Sequence, residues 1–123
     1  MAQDRLLDLV RRSQRGDPSA FGRLVAETQT GTYNLAYSLL GNREEAEDLM
    51  QETYLRAWRA LPQFRGEARF TTWLYRITTN LCLNRRRQLA ARLRQVDDEG
   101  VLDGLITPDP GPAEASAEAD QRR

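Results

Sequence analysis

The densest chemistry in this 123-residue chain lies between residues 56 and 96, where ten arginines face Glu67 as the sole acid. Arg65, Arg69, Arg76 and the run Arg85-Arg86-Arg87 interleave there with Phe64, Phe70, Trp73 and Tyr75. Cations that neutralise phosphates, set among flat rings on which bases stack, are what a single-stranded nucleic acid requires. For Phe70 and Trp73 taken singly, helical spacing favours a place in the core instead. Every cation is an arginine and none a lysine. A guanidinium favours bidentate phosphate contacts and stacking over point-charge attraction, although genomic base composition explains the bias equally well.

Catalysis lacks its usual parts. There is no histidine, and the one cysteine, Cys82, can close no disulfide within the chain and build no thiolate zinc site. Glu44, Glu45, Glu47 and Asp48 cluster, but they fall in the first turns of a helix, where carboxylates meet the positive end of the dipole favourably. No apolar run approaches the roughly 18 residues of a membrane span, and the start lacks the apolar core of a signal peptide. These observations point to a soluble cytoplasmic binding protein rather than an enzyme, with no cofactor, no metal and no membrane insertion.

The elements that must carry these residues read as all-α, a compact bundle of about four helices. A first helix covers about 3–15, with Leu6, Leu7 and Val10 on one side and Gly16 closing it. Asp17-Pro18 supplies an N-cap followed by proline at the first helical position. The second helix runs to about Leu40, with Phe21, Leu24, Val25, Leu35, Ala36, Leu39 and Leu40 recurring at helical steps and Gly31 weakening its middle. Gly41-Asn42 marks a stop and a new cap, with Glu45 placed as in a capping box.

The third helix, about 43–61, carries two stripes. Ala46, Leu49, Met50, Thr53, Ala57, Trp58 and Leu61 form a core face, while Asp48, Gln51, Glu52, Leu55, Arg56 and Arg59 form a second row that looks outward. Pro62 ends this helix, and 62–69 reads as a loop. Thr71 or Thr72 caps a fourth helix reaching about Gln95, roughly 36 Å long. Its core face is Phe70, Trp73, Leu74, Ile77 and Leu81. Opposite run Arg76, Thr79, Asn80, Leu83, Asn84 and Arg87.

A net charge of zero conceals segregation: residues 1–55 hold six arginines against nine acids, and 97–123 two against eight. The last block holds three of the five prolines, scattered alanines and no aromatic residue. It buries too little apolar surface to offset ordering entropy and reads as a disordered acidic linker, able to compete for the basic block.

In sequence, the stretch Glu45-Ala46-Glu47-Asp48-Leu49-Met50-Gln51-Glu52-Thr53-Tyr54-Leu55-Arg56-Ala57-Trp58 is followed by Phe64-Arg65-Gly66. Then come Phe70-Thr71-Thr72-Trp73-Leu74-Tyr75-Arg76-Ile77, Asn80, and Asn84-Arg85-Arg86-Arg87. Over about residues 5–90 this order of motifs closely resembles region 2 of the extracytoplasmic-function (ECF) group of bacterial RNA polymerase sigma factors. The resemblance implies a region 2 domain over 1–96 and, over 97–123, a linker toward a region 4 domain that the chain does not include.

The resemblance also implies partners. Asp48, Gln51 and Glu52, extended by Leu55, Arg56 and Arg59, would dock on the clamp helices of the polymerase β′ subunit. The loop with Phe64, Arg65, Gly66 and Arg69 would capture a flipped base of the promoter −10 element. Arg76, Asn80, Asn84, Arg85, Arg86 and Arg87 would hold the opened non-template strand, and an anti-sigma factor would cover these surfaces. Without the resemblance, a stand-alone helical adaptor binding an acidic protein or RNA through the arginine-rich face accounts for the same residues.

Overall fold

Asp17, Asn42 and the glycine and proline around them divide the chain where helices begin and end. A computed structural model describes residues 2–98, with side-chain environments from 6 to 95. It contains α1 (Ala2–Gln14), α2 (Pro18–Leu40), α3 (Arg43–Ala60), a single 3-10 turn (Leu61–Gln63) and α4 (Phe70–Asp98). The all-α, four-helix expectation holds. The expected linker from residue 99 onward lies outside the described residues, and α4 continues to Asp98, two residues past the expected boundary.

The caps explain the divisions. Asp17 Oδ1 accepts from the amides of Ser19 (2.9 Å) and Ala20 (3.2 Å), with Pro18 at the first helical position. At the far end of α2 the Gly41 amide donates to the Tyr37 carbonyl at 2.7 Å. Asn42 Oδ1 accepts from the Glu45 amide at 2.9 Å and opens α3. The capping box is only half built, because the Glu45 carboxylate reaches across to Arg85 instead.

Two expected details change. Leu6, Leu9 and Val10 are the buried apolar residues among those described in α1, while Leu7 is exposed; the three-then-one spacing follows the helical period where the expected set did not. The fourth helix starts earlier than a threonine cap would place it. The Trp73 amide donates to the Arg69 carbonyl at 3.0 Å, so Arg69 occupies the cap position.

The helices bury two apolar clusters. One joins Leu6, Leu9, Val10, Ala20, Leu24, Tyr54, Ala57, Leu61, Phe70 and Leu74; the other joins Leu35, Ala36, Leu39, Leu40, Ala46, Leu49, Leu81 and Cys82. Between them lies a layer of buried threonines: Thr28 and Thr32 on α2, Thr53 on α3 and Thr78 on α4. Each hydroxyl donates to the carbonyl four residues earlier, at 2.7–3.1 Å. The Tyr54 hydroxyl joins the layer, 2.6 Å from Thr28 Oγ1 and 3.0 Å from Thr32 Oγ1. Burial raises the Tyr54 pKa, with the two threonine contacts pulling it partly back. Among the described residues no buried side-chain polar atom lacks a partner.

Trp58, expected in the core, is 38% exposed and packs edge-on against Phe21, ring centroids 4.9 Å apart. It caps the bundle from outside rather than filling it.

Gly31 does not break α2, which is continuous through it. A Cβ there would collide with the Tyr75 hydroxyl and stand 3.2 Å from its ring carbon Cζ. The residue that lowers helix propensity is therefore what leaves room on α2 for the Tyr75 hydroxyl of α4. Gly31→Ala should lower stability by about 1–3 kcal/mol, since overpacking outweighs alanine's propensity gain. The same change should cost less in a Tyr75→Phe background. Urea denaturation of the four proteins checks this.

Burial also pushes the Cys82 thiol from 9.0 up to about 12, with Arg85 pulling it partly back. A neutral thiol folded and an ionised one unfolded make this contribution whole below about pH 9; it is lost as pH rises toward 12. At pH 8 a thiol reagent should label Cys82 only in denaturant, as a colorimetric thiol assay would show.

Candidate nucleic-acid interface and partner surface

The outward row of α3 is continuous in space as in sequence. Asp48, Gln51, Leu55, Arg56 and Arg59 are exposed and Glu52 is half-buried. Leu55, at 59% the most exposed large apolar side chain described, stands in the middle of the charges. At the N-terminal end of the row, Glu44, Glu45, Glu47, Asp48 and Gln51 line a shallow open depression.

The loop between α3 and α4 is tethered from a distant helix. Gln14 Nε2 on α1 donates to the carbonyls of Leu61 (3.0 Å) and Phe64 (2.7 Å), and the Phe64 amide donates to Leu61 O. Arg65, Gly66 and Arg69 are exposed, and Gly66 has φ +78°, a left-handed conformation that a side chain strains. The ring of Phe64, expected at a captured base, is half-buried and packs on Trp73 (4.9 Å) and Phe70 (6.3 Å). Phe64 thus fixes the loop to the start of α4.

On α4, Arg76, Asn80, Leu83, Asn84 and Arg87 form an exposed row, with Thr79 half-buried beside it. Arg87 Nη1 donates to Asn84 Oδ1 at 2.8 Å, so these two polar groups are held together one turn apart. Arg86 is half-buried.

Arg85 departs from the run. Its guanidinium turns toward α3, where Nη1 bonds Glu45 Oε1 and Nη2 lies 3.6 Å from Asp48 Oδ2 and 3.8 Å from Glu52 Oε1. The helical step of 100° separates consecutive residues, so three adjacent arginines cannot share one face. Arg85, expected beside Arg86 and Arg87 as a phosphate contact, thus faces the acids of α3 in this structure.

Sequence reasoning missed Gln14 and read Glu45 only as a capping-box and helix-end residue. Neither carries a local signal of its role: their partners lie 47 and 40 residues away.

The described domain is all-helical and presents two separate rows: a mixed-charge row carrying a bare leucine, and a row of arginines and asparagines beside a tethered loop. Residues 24–92 match the family described as sigma-70 region 2. The chain belongs to that family and is similar to its ECF members. It is 41% identical over 101 residues to the RNA polymerase sigma-H factor of Pseudomonas aeruginosa, covering 82% of this chain and 51% of that protein. It is 40% identical over 79 residues to the ECF RNA polymerase sigma factor SigW of Bacillus subtilis, covering 64% and 42%. Over 94 residues it is 38% identical to the ECF RNA polymerase sigma-E factor of Haemophilus influenzae, covering 76% and 48%. The chain spans about half the length of these curated relatives.

Gln14→Ala removes both donors to the loop's first carbonyls. The fold should lose about 1–2 kcal/mol, and amide exchange across Phe64–Arg69 should quicken while that of α3 is unchanged. Hydrogen exchange read by NMR checks both.

Proposed function

We propose that this chain is the part of an ECF sigma factor that binds core RNA polymerase and reads and opens the promoter −10 element at the start of transcription. Its work is binding, not catalysis, and takes place in the cytoplasm; no described helix is long and apolar enough to cross a membrane. The observation that carries the reading is joint exposure within a sigma-70 region 2 domain. Arg65, Gly66 and Arg69 on the loop and Arg76, Asn80, Asn84 and Arg87 on α4 are all exposed.

Each has a distinct role. A stacked base enters a protein pocket only after it is unstacked, at a cost of a few kcal/mol. Gly66 lets backbone approach the captured base, and Arg65 and Arg69 donate to it. Asn80 and Asn84 each donate and accept at a base edge, while Arg76, Arg86 and Arg87 neutralise the non-template strand. The row Asp48, Gln51, Glu52, Leu55, Arg56 and Arg59 docks on the β′ clamp helices, Leu55 supplying apolar contact among the charges. An anti-sigma factor covering these faces is the proposed negative partner. Family membership does not favour the alternative of a stand-alone adaptor for an acidic protein or RNA.

Asp48→Arg and Glu52→Arg should each weaken binding to a β′ clamp fragment tenfold or more, on the order of the cost of a misplaced interface charge. Circular dichroism should show both still helical. On single-stranded −10 oligonucleotides, one base substitution should cost roughly 1–3 kcal/mol. Replacing 62–69 by a neutral glycine-serine segment should erase that discrimination while sequence-independent affinity persists. Fluorescence anisotropy, with and without core polymerase, reads both effects.

A further inference from the structure

We infer that Glu45 and Arg85 form a positioning pair that orders the polymerase-docking row, and that Arg85 touches no phosphate. The inference rests on the proposed docking of Asp48 and Glu52, and deepens it by adding two residues that act through them.

Three observations meet at this pair. Arg85 is 23% exposed at its side chain and Glu45 29%, whereas Asp48 is 66% and Glu52 42% exposed. The guanidinium therefore sits behind the carboxylates that face outward. Glu45, Asp48 and Glu52 are spaced three and four residues apart, so one planar cation on α4 reaches all three along a single face of α3. Glu45 is itself held at the backbone, its amide bonded to Asn42 Oδ1. The pair ties a fixed helix start to α4.

The physical consequence concerns Asp48 and Glu52. Three carboxylates on two helical turns repel one another and spread into solvent. A cation behind them offsets the repulsion and limits their rotamers while leaving their outer oxygens open. A partner's basic groups then meet carboxylates already in place, with less side-chain entropy to lose. At 3.6 and 3.8 Å these contacts are loose enough to share with a second cation.

The test uses the full chain with Arg85→Gln, Glu45→Gln, the double variant and the charge-swapped Glu45→Arg/Arg85→Glu, beside Arg87→Gln and Asp48→Arg as references. Affinity for a β′ clamp fragment is measured at a temperature where urea unfolding shows all of them folded. Each single variant should bind about 3- to 10-fold more weakly, the double no worse than either single, and the swap should recover none of the loss, because it sets a carboxylate rather than a cation behind Asp48 and Glu52. Against single-stranded DNA, Arg85→Gln should leave the slope of log K against log salt unchanged, while Arg87→Gln shallows it by about 0.7. Wild-type clamp affinity in Arg85→Gln, or a slope lowered as in Arg87→Gln, overturns the inference. Should Arg85→Gln not fold, Arg85→Lys replaces it: a point charge keeps the Glu45 pair but should still lose clamp affinity, and wild-type affinity is again the overturning result. If Asp48→Arg binds the clamp normally, the docking assignment fails and the positioning role with it. If Asp48→Arg binds weakly but Arg85→Gln does not, only the positioning role fails.

Discussion

A hydroxyl can be buried in this bundle only if it is hydrogen-bonded, and that requirement fixes how the helices meet. Thr28, Thr32, Thr53 and Thr78 each bond back to their own helix, and Tyr54 bridges α3 to the two threonines of α2. Leucine packing alone tolerates small slides between helices. A directional contact of 2.6 Å between Tyr54 and Thr28 does not, because losing it strands a buried oxygen at a cost of about 1–3 kcal/mol. The layer therefore sets the register of α2 against α3. Gly31 leaves the space on α2 that the end of the Tyr75 side chain from α4 occupies. Both surface rows inherit their positions from these two constraints.

The surface divides its charges between two rows. The excess of arginine between residues 56 and 96 suggests one basic face, but the fold splits it. Arg85 turns inward to the acids of α3, Arg76 and Arg87 look out from α4, and Arg56 and Arg59 stand on the α3 row. The acidic row is correspondingly less bare than its composition implies, since Arg85 lies behind Asp48 and Glu52. A partner meets neither block at full charge. It meets two patterned rows in which cations and anions have already been partly paired.

Much of this is legible in the residues. Asp17-Pro18, Gly41-Asn42 and Pro62 announce the helix ends because capping and the missing proline N–H are local effects, decided within a turn. The apolar period gives the inward faces of α2 and α4, and the three-one spacing from Asp48 to Arg59 gives the outward row of α3. Trp58 and Leu7 escape this logic because helical period alone does not say how wide the buried stripe is; neighbouring helices decide that.

The order of motifs also determined the family, because it is carried by residue types at fixed separations and needs no coordinates. Tertiary structure alone decided the rest. Gly31 reads as a weakness until Tyr75 is placed against it. Phe64 reads as a free ring until Trp73 covers it, and Arg85 as one of three equivalent cations until Glu45 claims it. Gln14 carries no signal at all before its amide meets the carbonyls of Leu61 and Phe64. The reason is common to all four. Each role is set by a partner 9 to 50 residues distant along the chain, and the identity of such a partner is fixed only when helices pack.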